Sequence, residues 1–221
     1  MATLQQNINK AVEDFYSIKI ALNNAGLDAN GATAEYADKI NTMATKSNYL
    51  FKLIDRSITS IDIPDGITNI GSQTFNQCRD LVRVKIPNSV TNIGSYAFSN
   101  CYSLVDINIP DSILSLQANT FINCNSLTDI TLPSSITRVA QTTFSGCTSL
   151  TNVTLRDGFN ANALDLSAST LYSTDTLVAM LNALADRTGS LAYTLTLGST
   201  NLAKLSSEQI AIATEKNWIL A

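Results

Sequence analysis

Apolar and polar residues follow a short, regular pattern through the middle of the chain. In the stretch that contains Leu81, Val84 and Ile86, apolar positions are separated by one or two residues, which indicates a strand with one buried face. A second apolar pair, Val90 and Ile93, follows a few residues later. The pattern therefore predicts units that contain two short apolar-faced segments each.

This pattern returns every 23 residues. A proline ends the first strand of successive units, since proline cannot donate to a strand ladder. The positions that share the step are Pro64, Pro87, Pro110 and Pro133; Cys78, Cys101, Cys124 and Cys147; Phe75, Phe98, Phe121 and Phe144; and Leu81, Leu104, Leu127 and Leu150. We call the units rungs, and the pattern contains five of them.

A unit of this size cannot bury its apolar side alone, so the repeat predicts a solenoid. Parallel copies stacked about 4.8 Å apart create one continuous apolar core. Gly71 and Gly94 follow the second apolar pair, and we expect them to allow a tight bend there.

The repeat positions bring the chain close to a known family. The segment from Phe98 to Ile113, with Cys101 and Pro110 at repeat positions, resembles the BspA-like leucine-rich repeat almost position by position. The resemblance covers about residues 56 to 155. It implies an α/β fold, a leucine-rich-repeat solenoid, and it implies binding rather than catalysis, because proteins of that family are typically bacterial surface or adhesion proteins.

Different patterns flank the repeat. Thr3 and Gln6 form a potential capping box before an apolar stripe that predicts a helix ended by Gly26, with a second short helix after it. This N-terminal hairpin is expected to cap the solenoid, and docking or homo-oligomer formation through its first helix is the alternative. It also looks like a module of some phage tail or fibre proteins.

A longer repeat follows the solenoid. Leu164 and Leu195 lie 31 residues apart, and each belongs to a strand pattern that precedes a helical one. Ser206 and Gln209 form a potential capping box for a last helix that extends toward Trp218. We expect these strand–helix units to cap the array, since terminal repeats are usually atypical.

The chain is thus divided into three parts. Residues 1–50 form the N-terminal helical cap or docking segment, residues 51–158 form the BspA-like repeats, and residues 159–221 form the C-terminal cap. The apolar runs are far shorter than the roughly 20 residues of a spanning helix, so no membrane insertion is expected.

Composition narrows the chemistry that is open to this chain. There is no histidine, which removes the commonest general base near neutral pH and the commonest metal ligand. A net charge of -4 leaves no basic surface for nucleic acid. We therefore expect no enzymatic activity and no cofactor.

The four cysteines are expected to be buried free thiols. Four rungs spread the sulfurs over about 14 Å, whereas tetrahedral zinc needs each sulfur about 2.3 Å from the ion. The Cβ atoms of adjacent rungs lie near about 4.8 Å, beyond the usual separation in a disulfide. Cysteine then fills the core as a small apolar residue.

Polar side chains between the buried strand positions point outward and line up across rungs. Such a flat, preformed face is where repeat proteins commonly bind, and short polar groups can hydrogen-bond a sugar or a peptide backbone. The alternative is a merely solvated face. The candidate ligand-binding residues are Arg83, Lys85, Asp106, Asn108, Asp129, Thr131, Asn152 and Thr154, which we call the repeat sheet face.

Asp106 and Asp129 lie on adjacent rungs, at about the 5 Å that separates the carboxylates of retaining glycosidases. Any two acidic residues on adjacent rungs give that distance, and Arg83 beside Asp106 favours its ionised form. A carbohydrate-active enzyme is therefore a remote alternative, and so is a cation bridging the pair.

The residues and the resemblance together predict a non-catalytic binding or attachment module on a cell surface or a virion, whose partner is a protein or a glycan. The alternative is a structural or assembly protein of a phage particle or surface complex. The C-terminal run also resembles tails found in gut-bacterial and phage proteins. The first residues show no signal-peptide pattern, so a cytoplasmic location stays open.

Overall fold

Short parallel strands build the repeats in the computed structural model, which describes residues 56–63 and 65–221. Each rung contributes a front strand, and the first four rungs also contribute a back strand. The front strands are β1 (Ser60–Asp62), β3 (Arg83–Lys85), β5 (Asp106–Ile107), β7 (Asp129–Leu132) and β9 (Asn152–Leu155). The back strands are β2 (Asn69–Ile70), β4 (Asn92–Ile93), β6 (Ser115–Leu116) and β8 (Arg138–Val139).

Strand partners on adjacent rungs occupy equivalent positions of the repeat. Ser60 of β1 faces Arg83 of β3 in a parallel pair, and Asn69 of β2 faces Asn92 of β4 in the same way. Both pairs are 23 residues apart, so one step of the repeat corresponds to one rung. The leucine-rich-repeat fold with parallel strands is confirmed.

The strand ladders are interrupted although the core is continuous. The front strands form one sheet of β1, β3 and β5 and another of β7 and β9, while the back strands pair as β2 with β4 and β6 with β8. The third rung is thus paired with the second at its front strand and with the fourth at its back strand. Stacked phenylalanine rings join the rungs across both interruptions, together with backbone hydrogen bonds from the Phe98 amide to the Thr120 carbonyl and from the Phe121 amide to the Thr143 carbonyl.

A column of phenylalanine rings runs through the core opposite the front strands. The rings of Phe75, Phe98, Phe121 and Phe144 are buried and nearly parallel, with centroids 5.2, 5.5 and 5.5 Å apart. Leu81 and its three repeat equivalents are buried beside them. Equivalent side chains of successive rungs therefore stack on one another.

The tight bends are not made by the glycines that we expected. Neither Gly71 nor Gly94 has a positive φ, whereas Gln73, Tyr96 and Asn119 lie in the left-handed region with φ of 61°, 59° and 59°. A Cβ added to Gly94 would lie 2.5 Å from the backbone nitrogen of Ser72. The expectation was wrong because residues with side chains supply the left-handed conformation, while the glycine at position 94 allows close approach between rungs.

Asn108 uses its side chain to extend the pairing of β3 with β5. The backbone register of these strands ends where Val84 faces Ile107. Beyond it, the Ile86 amide donates to Oδ1 of Asn108 and Nδ2 of Asn108 donates to the Ile86 carbonyl, both at 2.8 Å. The side-chain amide thus replaces a backbone peptide group in the ladder.

A second type of unit follows the repeats. Strand β10 (Ala163–Asp165) precedes helix α1 (Thr174–Ala183), and strand β11 (Tyr193–Thr196) precedes helices α2 (Ser199–Leu202) and α3 (Ser207–Glu215) before β12 (Trp218–Leu220). The three strands form one parallel sheet in the order β10, β11, β12. Leu164 faces Leu195, as their 31-residue spacing suggests.

The capping box at the last helix is confirmed, but the position of Trp218 is not. The Ser206 side chain accepts from the Gln209 amide, and Gln209 accepts from the Ser206 amide in return. Trp218 lies on β12 instead of the helix, where its indole donates to the Ala185 carbonyl at 2.9 Å and meets Tyr193 edge-on. A buried indole needs an acceptor for its N–H, and the strand supplies that geometry.

The expectations for the N-terminal hairpin, which include the capping box at Thr3 and Gln6, lie outside the described residues. None of the helices found in residues 56–63 and 65–221 has the length and apolar character that crossing a membrane requires.

Replacing Asn108 with alanine is expected to destabilise the protein by about 1–2 kcal/mol, because two hydrogen bonds to the Ile86 backbone are lost. The free energy of unfolding is measured by urea titration. Asn88→Ala is the matched control, since Asn88 is exposed in the preceding rung. Equal stabilities of the two variants would contradict a structural role for the Asn108 amide.

Candidate binding face

The repeat sheet face has the exposure that the strand pattern predicts, and its strands pair in register within the first three rungs and within the last two. All eight of its residues are exposed, while Val84 and Ile107 between them are buried. Arg83 faces Asp106, and Thr131 faces Thr154 across adjacent strands. Because strand side chains alternate between two sides of the backbone, the buried positions fix the outward direction of their neighbours.

Two polar pairs cross between rungs on this face. Nε of Arg83 lies 3.3 Å from Oδ2 of Asp106, and the two side chains are 60% and 64% exposed. Nδ2 of Asn152 donates to Oδ1 of Asp129 at 3.2 Å. An exposed ion pair such as Arg83 with Asp106 contributes about 0–1 kcal/mol to stability, so it can be exchanged for contacts with a ligand at little cost.

The two carboxylates of the face do not form a pair. Asp106 contacts Arg83 on the preceding rung, whereas Asp129 contacts Asn152 on the following rung, so each interacts with the rung away from the other. No ladder joins their strands β5 and β7. A retaining glycosidase needs two carboxyl groups that face one glycosidic bond, whereas each of these carboxylates is engaged on the side away from the other.

The remaining face residues differ in whether their side chains already make hydrogen bonds within the protein. Both polar atoms of Asn108 are held by the Ile86 backbone, so this side chain is a structural part of the face. Lys85, Thr131 and Thr154 make no side-chain hydrogen bond or ion pair with any other described residue. These three side chains can therefore contact a ligand without first breaking an interaction of that kind.

A group of exposed apolar side chains lies beside the face and was not predicted from the polar positions of the repeat. Val82 and Val105 directly precede β3 and β5 and are 44% and 41% exposed, and the Val105 amide donates to the Val82 carbonyl at 2.9 Å. Tyr102 is 36% exposed, with the Arg79 guanidinium 5.6 Å from its ring centroid. A signal was present, because threonine fills the valine position in the other rungs.

The cysteines form a column inside the core. All four are free and buried, so the expected burial is confirmed. The thiols of Cys101, Cys124 and Cys147 donate to the carbonyls of Phe75, Phe98 and Phe121 at 3.1, 3.3 and 3.1 Å. Each thiol thus satisfies a backbone acceptor of the preceding rung.

Burial also raises the pKa of three of these thiols. Loss of hydration raises the pKa of Cys78 to about 11 and that of Cys101 to about 12, and it raises the pKa of Cys124 well above the ordinary value. A thiol that stays protonated is a poor nucleophile and a poor metal ligand. Within the described residues, no three acidic, cysteine or histidine side chains are grouped to hold a metal ion.

Stacked parallel strands and a recurring apolar pattern define a leucine-rich-repeat protein. A family model described as BspA type Leucine rich repeat region matches residues 45–168 in six copies. That range is more than half of the chain, and the chain belongs to this family. The comparison with curated proteins found no match.

Several solved structures are similar to this chain. A leucine rich cell surface protein from Faecalibacterium prausnitzii is 30% identical, with a TM-score of 0.48 over 58% of this chain and 35% of its own. A leucine-rich repeat protein from Treponema pallidum (TpLRR) is 20% identical, with a TM-score of 0.47 over 74% of this chain and 85% of its own. One from Bacteroides ovatus is 24% identical, with a TM-score of 0.42 over 62% of this chain and 39% of its own. The chain therefore spans about a third of the length of the Faecalibacterium protein.

At about pH 8 the folded protein is expected to resist N-ethylmaleimide, because its four cysteines are buried. The urea-unfolded chain should react at all four cysteines, because unfolded thiols have a pKa of about 8.5. Mass spectrometry counts the modified thiols in each state. Rapid modification of the folded chain would contradict the burial of the cysteine column.

The thiols of Cys78, Cys101 and Cys124 make stability depend on pH. Their folded pKa is raised, so their contribution is complete below about pH 8.5 and is lost as pH rises toward the folded value of about 12 for Cys101. The free energy of unfolding is measured across this window for the native chain and for Cys101→Ala. The alkaline loss should be smaller in the variant, and an identical loss in both contradicts the assignment to Cys101.

Proposed function

We propose that the chain is a non-catalytic binding or attachment module that recognises a protein or a glycan through the repeat sheet face. The supporting observation is that its eight side chains are all exposed and held in register by one buried core. A preformed face loses little conformational entropy when it binds, so more of the contact energy is available as affinity.

The proposed place of action is the surface of a bacterial cell or a virion. Membership of the BspA-type family supports this location, and the similar Faecalibacterium protein is described as a cell surface protein. The face would then contact molecules outside the cell, and gut bacteria are the proposed source. A role in assembling a phage particle or a surface complex, with the N-terminal helix forming a homo-oligomer, is the secondary proposal.

The three-part organisation is also proposed, with residues 1–50 and 159–221 as the two ends of the solenoid formed by residues 51–158. The C-terminal part supports this role because strand–helix units replace the 23-residue repeat there. Its helices α1 and α3 follow strands in a sheet of their own, and Trp218 closes the interior beside Tyr193. Such an end protects the apolar core from water.

Charge reversal of the face tests the proposed function. The quadruple variant R83E/K85E/D106K/D129K keeps the net charge unchanged while it reverses the polar pattern. Beads coated with the native protein are incubated with immobilised glycans and extracellular-matrix proteins, and bound beads are counted. We expect retention of the variant to fall at least about tenfold, because charges at the rim of an interface control its specificity.

The control is R138E/D157K, which also keeps the net charge unchanged but alters exposed residues outside the face. This control should retain the beads as the native protein does. Equal retention by the quadruple variant would show that the face is not the binding site. Release of reducing ends from the glycans during incubation would instead indicate an enzyme.

A further inference from the structure

We infer that the binding site is centred on the second and third rungs and that its partner is a polypeptide, which docks an apolar side chain on a patch formed by Val82, Tyr102 and Val105. We call these residues the valine–tyrosine patch. The inference rests on the proposed function, because the patch borders the repeat sheet face.

The valines of the patch lie side by side on adjacent rungs, directly beside the charged residues of the face, and Tyr102 precedes Val105 by three residues. The Val105 amide donates to the Val82 carbonyl at 2.9 Å, and the Ser103 amide donates to the Arg79 carbonyl at 3.2 Å. These bonds place the valines side by side and Tyr102 next to Arg79. Arg83 and Asp106, which immediately follow the valines in the chain, form an exposed ion pair.

The fold does not require apolar side chains at the patch. The equivalents of Val82 and Val105 in the fourth and fifth rungs are Thr128 and Thr151, and the amide of Thr151 donates to the Thr128 carbonyl just as Val105 donates to Val82. Valine and threonine share a β-branched shape and differ in that threonine carries a hydroxyl in place of one methyl group. The backbone at this position therefore accepts either residue. Exposed apolar groups grouped within a polar border mark sites of protein interaction.

The chemistry of the patch favours a polypeptide over a sugar. Sugars stack on open aromatic faces, but the Arg79 guanidinium lies 5.6 Å from the centroid of the Tyr102 ring and the two valines offer no ring at all. The border carries both signs, since Arg83 is paired with Asp106 and Lys85 faces Asp62 across the strands. An apolar centre with tyrosine and arginine and a mixed charged border is the anatomy of a protein–protein interface.

The partner is therefore a polypeptide segment with an exposed apolar side chain flanked by charges of both signs. Its apolar group covers the valines, and its charges exchange with the ion pair of Arg83 and Asp106. The fourth and fifth rungs, where Thr131 and Thr154 continue the face, supply only polar contacts at its edge.

The test replaces each patch residue with the one found at its position in a neighbouring rung. The variant V82T/Y102N/V105T takes threonine from Thr128 and asparagine from Asn125, so its folding is expected to match that of the native chain. Leu114→Thr is the matched control, because Leu114 is 60% exposed among Thr68, Thr91 and Thr137 at the same repeat position. Thermal unfolding of each variant verifies that it folds, and the single variant V105T replaces the triple one if it does not.

The probe is a random peptide display library selected on the immobilised native protein, followed by affinity measurements on individual synthetic peptides. We expect selected peptides to contain an apolar residue flanked by charged ones. Their affinity should fall at least about tenfold on the triple variant and stay unchanged on Leu114→Thr, since a few buried anchors carry most of the binding energy.

Peptides that bind the triple variant as tightly as the native chain overturn the inference, and so does a selection that enriches none. Glycan arrays distinguish this failure from failure of the proposed function. A glycan that binds the native chain and the patch variant equally, but not the charge-reversed face, leaves the proposed function standing and removes the polypeptide. No binding of either probe contradicts both.

Discussion

Stacking of equivalent buried side chains from one rung to the next is the interaction on which the rest of the structure depends. Burying a phenylalanine such as Phe98 contributes about 1.5–3 kcal/mol, whereas an exposed ion pair such as Arg83 with Asp106 contributes about 0–1 kcal/mol. The core therefore fixes the register of the rungs. The front-strand ladder is interrupted between β5 and β7, yet the ring column continues across the same two rungs from Phe121 to Phe144.

Because the buried side chains provide most of the stability, the outward-facing residues are available for recognition. A side chain that contributes little to stability can change without disturbing the rung that carries it, as the exchange of Val105 for Thr128 at one repeat position illustrates. The repeat thus presents a surface whose geometry is constant and whose chemistry varies from rung to rung. Binding modules need this combination, because a rigid frame lowers the entropy cost of each contact.

The sequence was sufficient for the features that repetition enforces. The spacing of proline, cysteine and phenylalanine predicted stacked rungs, buried thiols and outward polar lines, since each follows from the period and from the alternation along a strand. Features that depend on a single local contact were not predictable. The Asn108 amide replaces a backbone group in only one rung, and Trp218 lies on a strand from which its indole reaches the Ala185 carbonyl just beyond helix α1.

The candidate site was predictable to the same extent. Exposure of the eight face residues follows from the strand pattern, but the separation of Asp106 from Asp129 depends on which neighbour each carboxylate contacts. The exposed valines were also hidden, because a pattern search treats every apolar residue as a core candidate. Comparison of equivalent positions between rungs separates the apolar residues that the fold needs from those that it does not.

The central claim is tested most directly by a distance along the stack. Spin labels are attached to cysteines introduced at Ser60 and Asn152, while the four native thiols are buried and remain unlabelled. Four rung steps of about 4.8 Å place the two backbone positions about 19 Å apart. Pulsed electron–electron double resonance should then give one narrow distance distribution near that value, once the length of the spin-label linkers is included. A broad distribution, or a distance beyond about 35 Å, would contradict the stacking of the rungs in register.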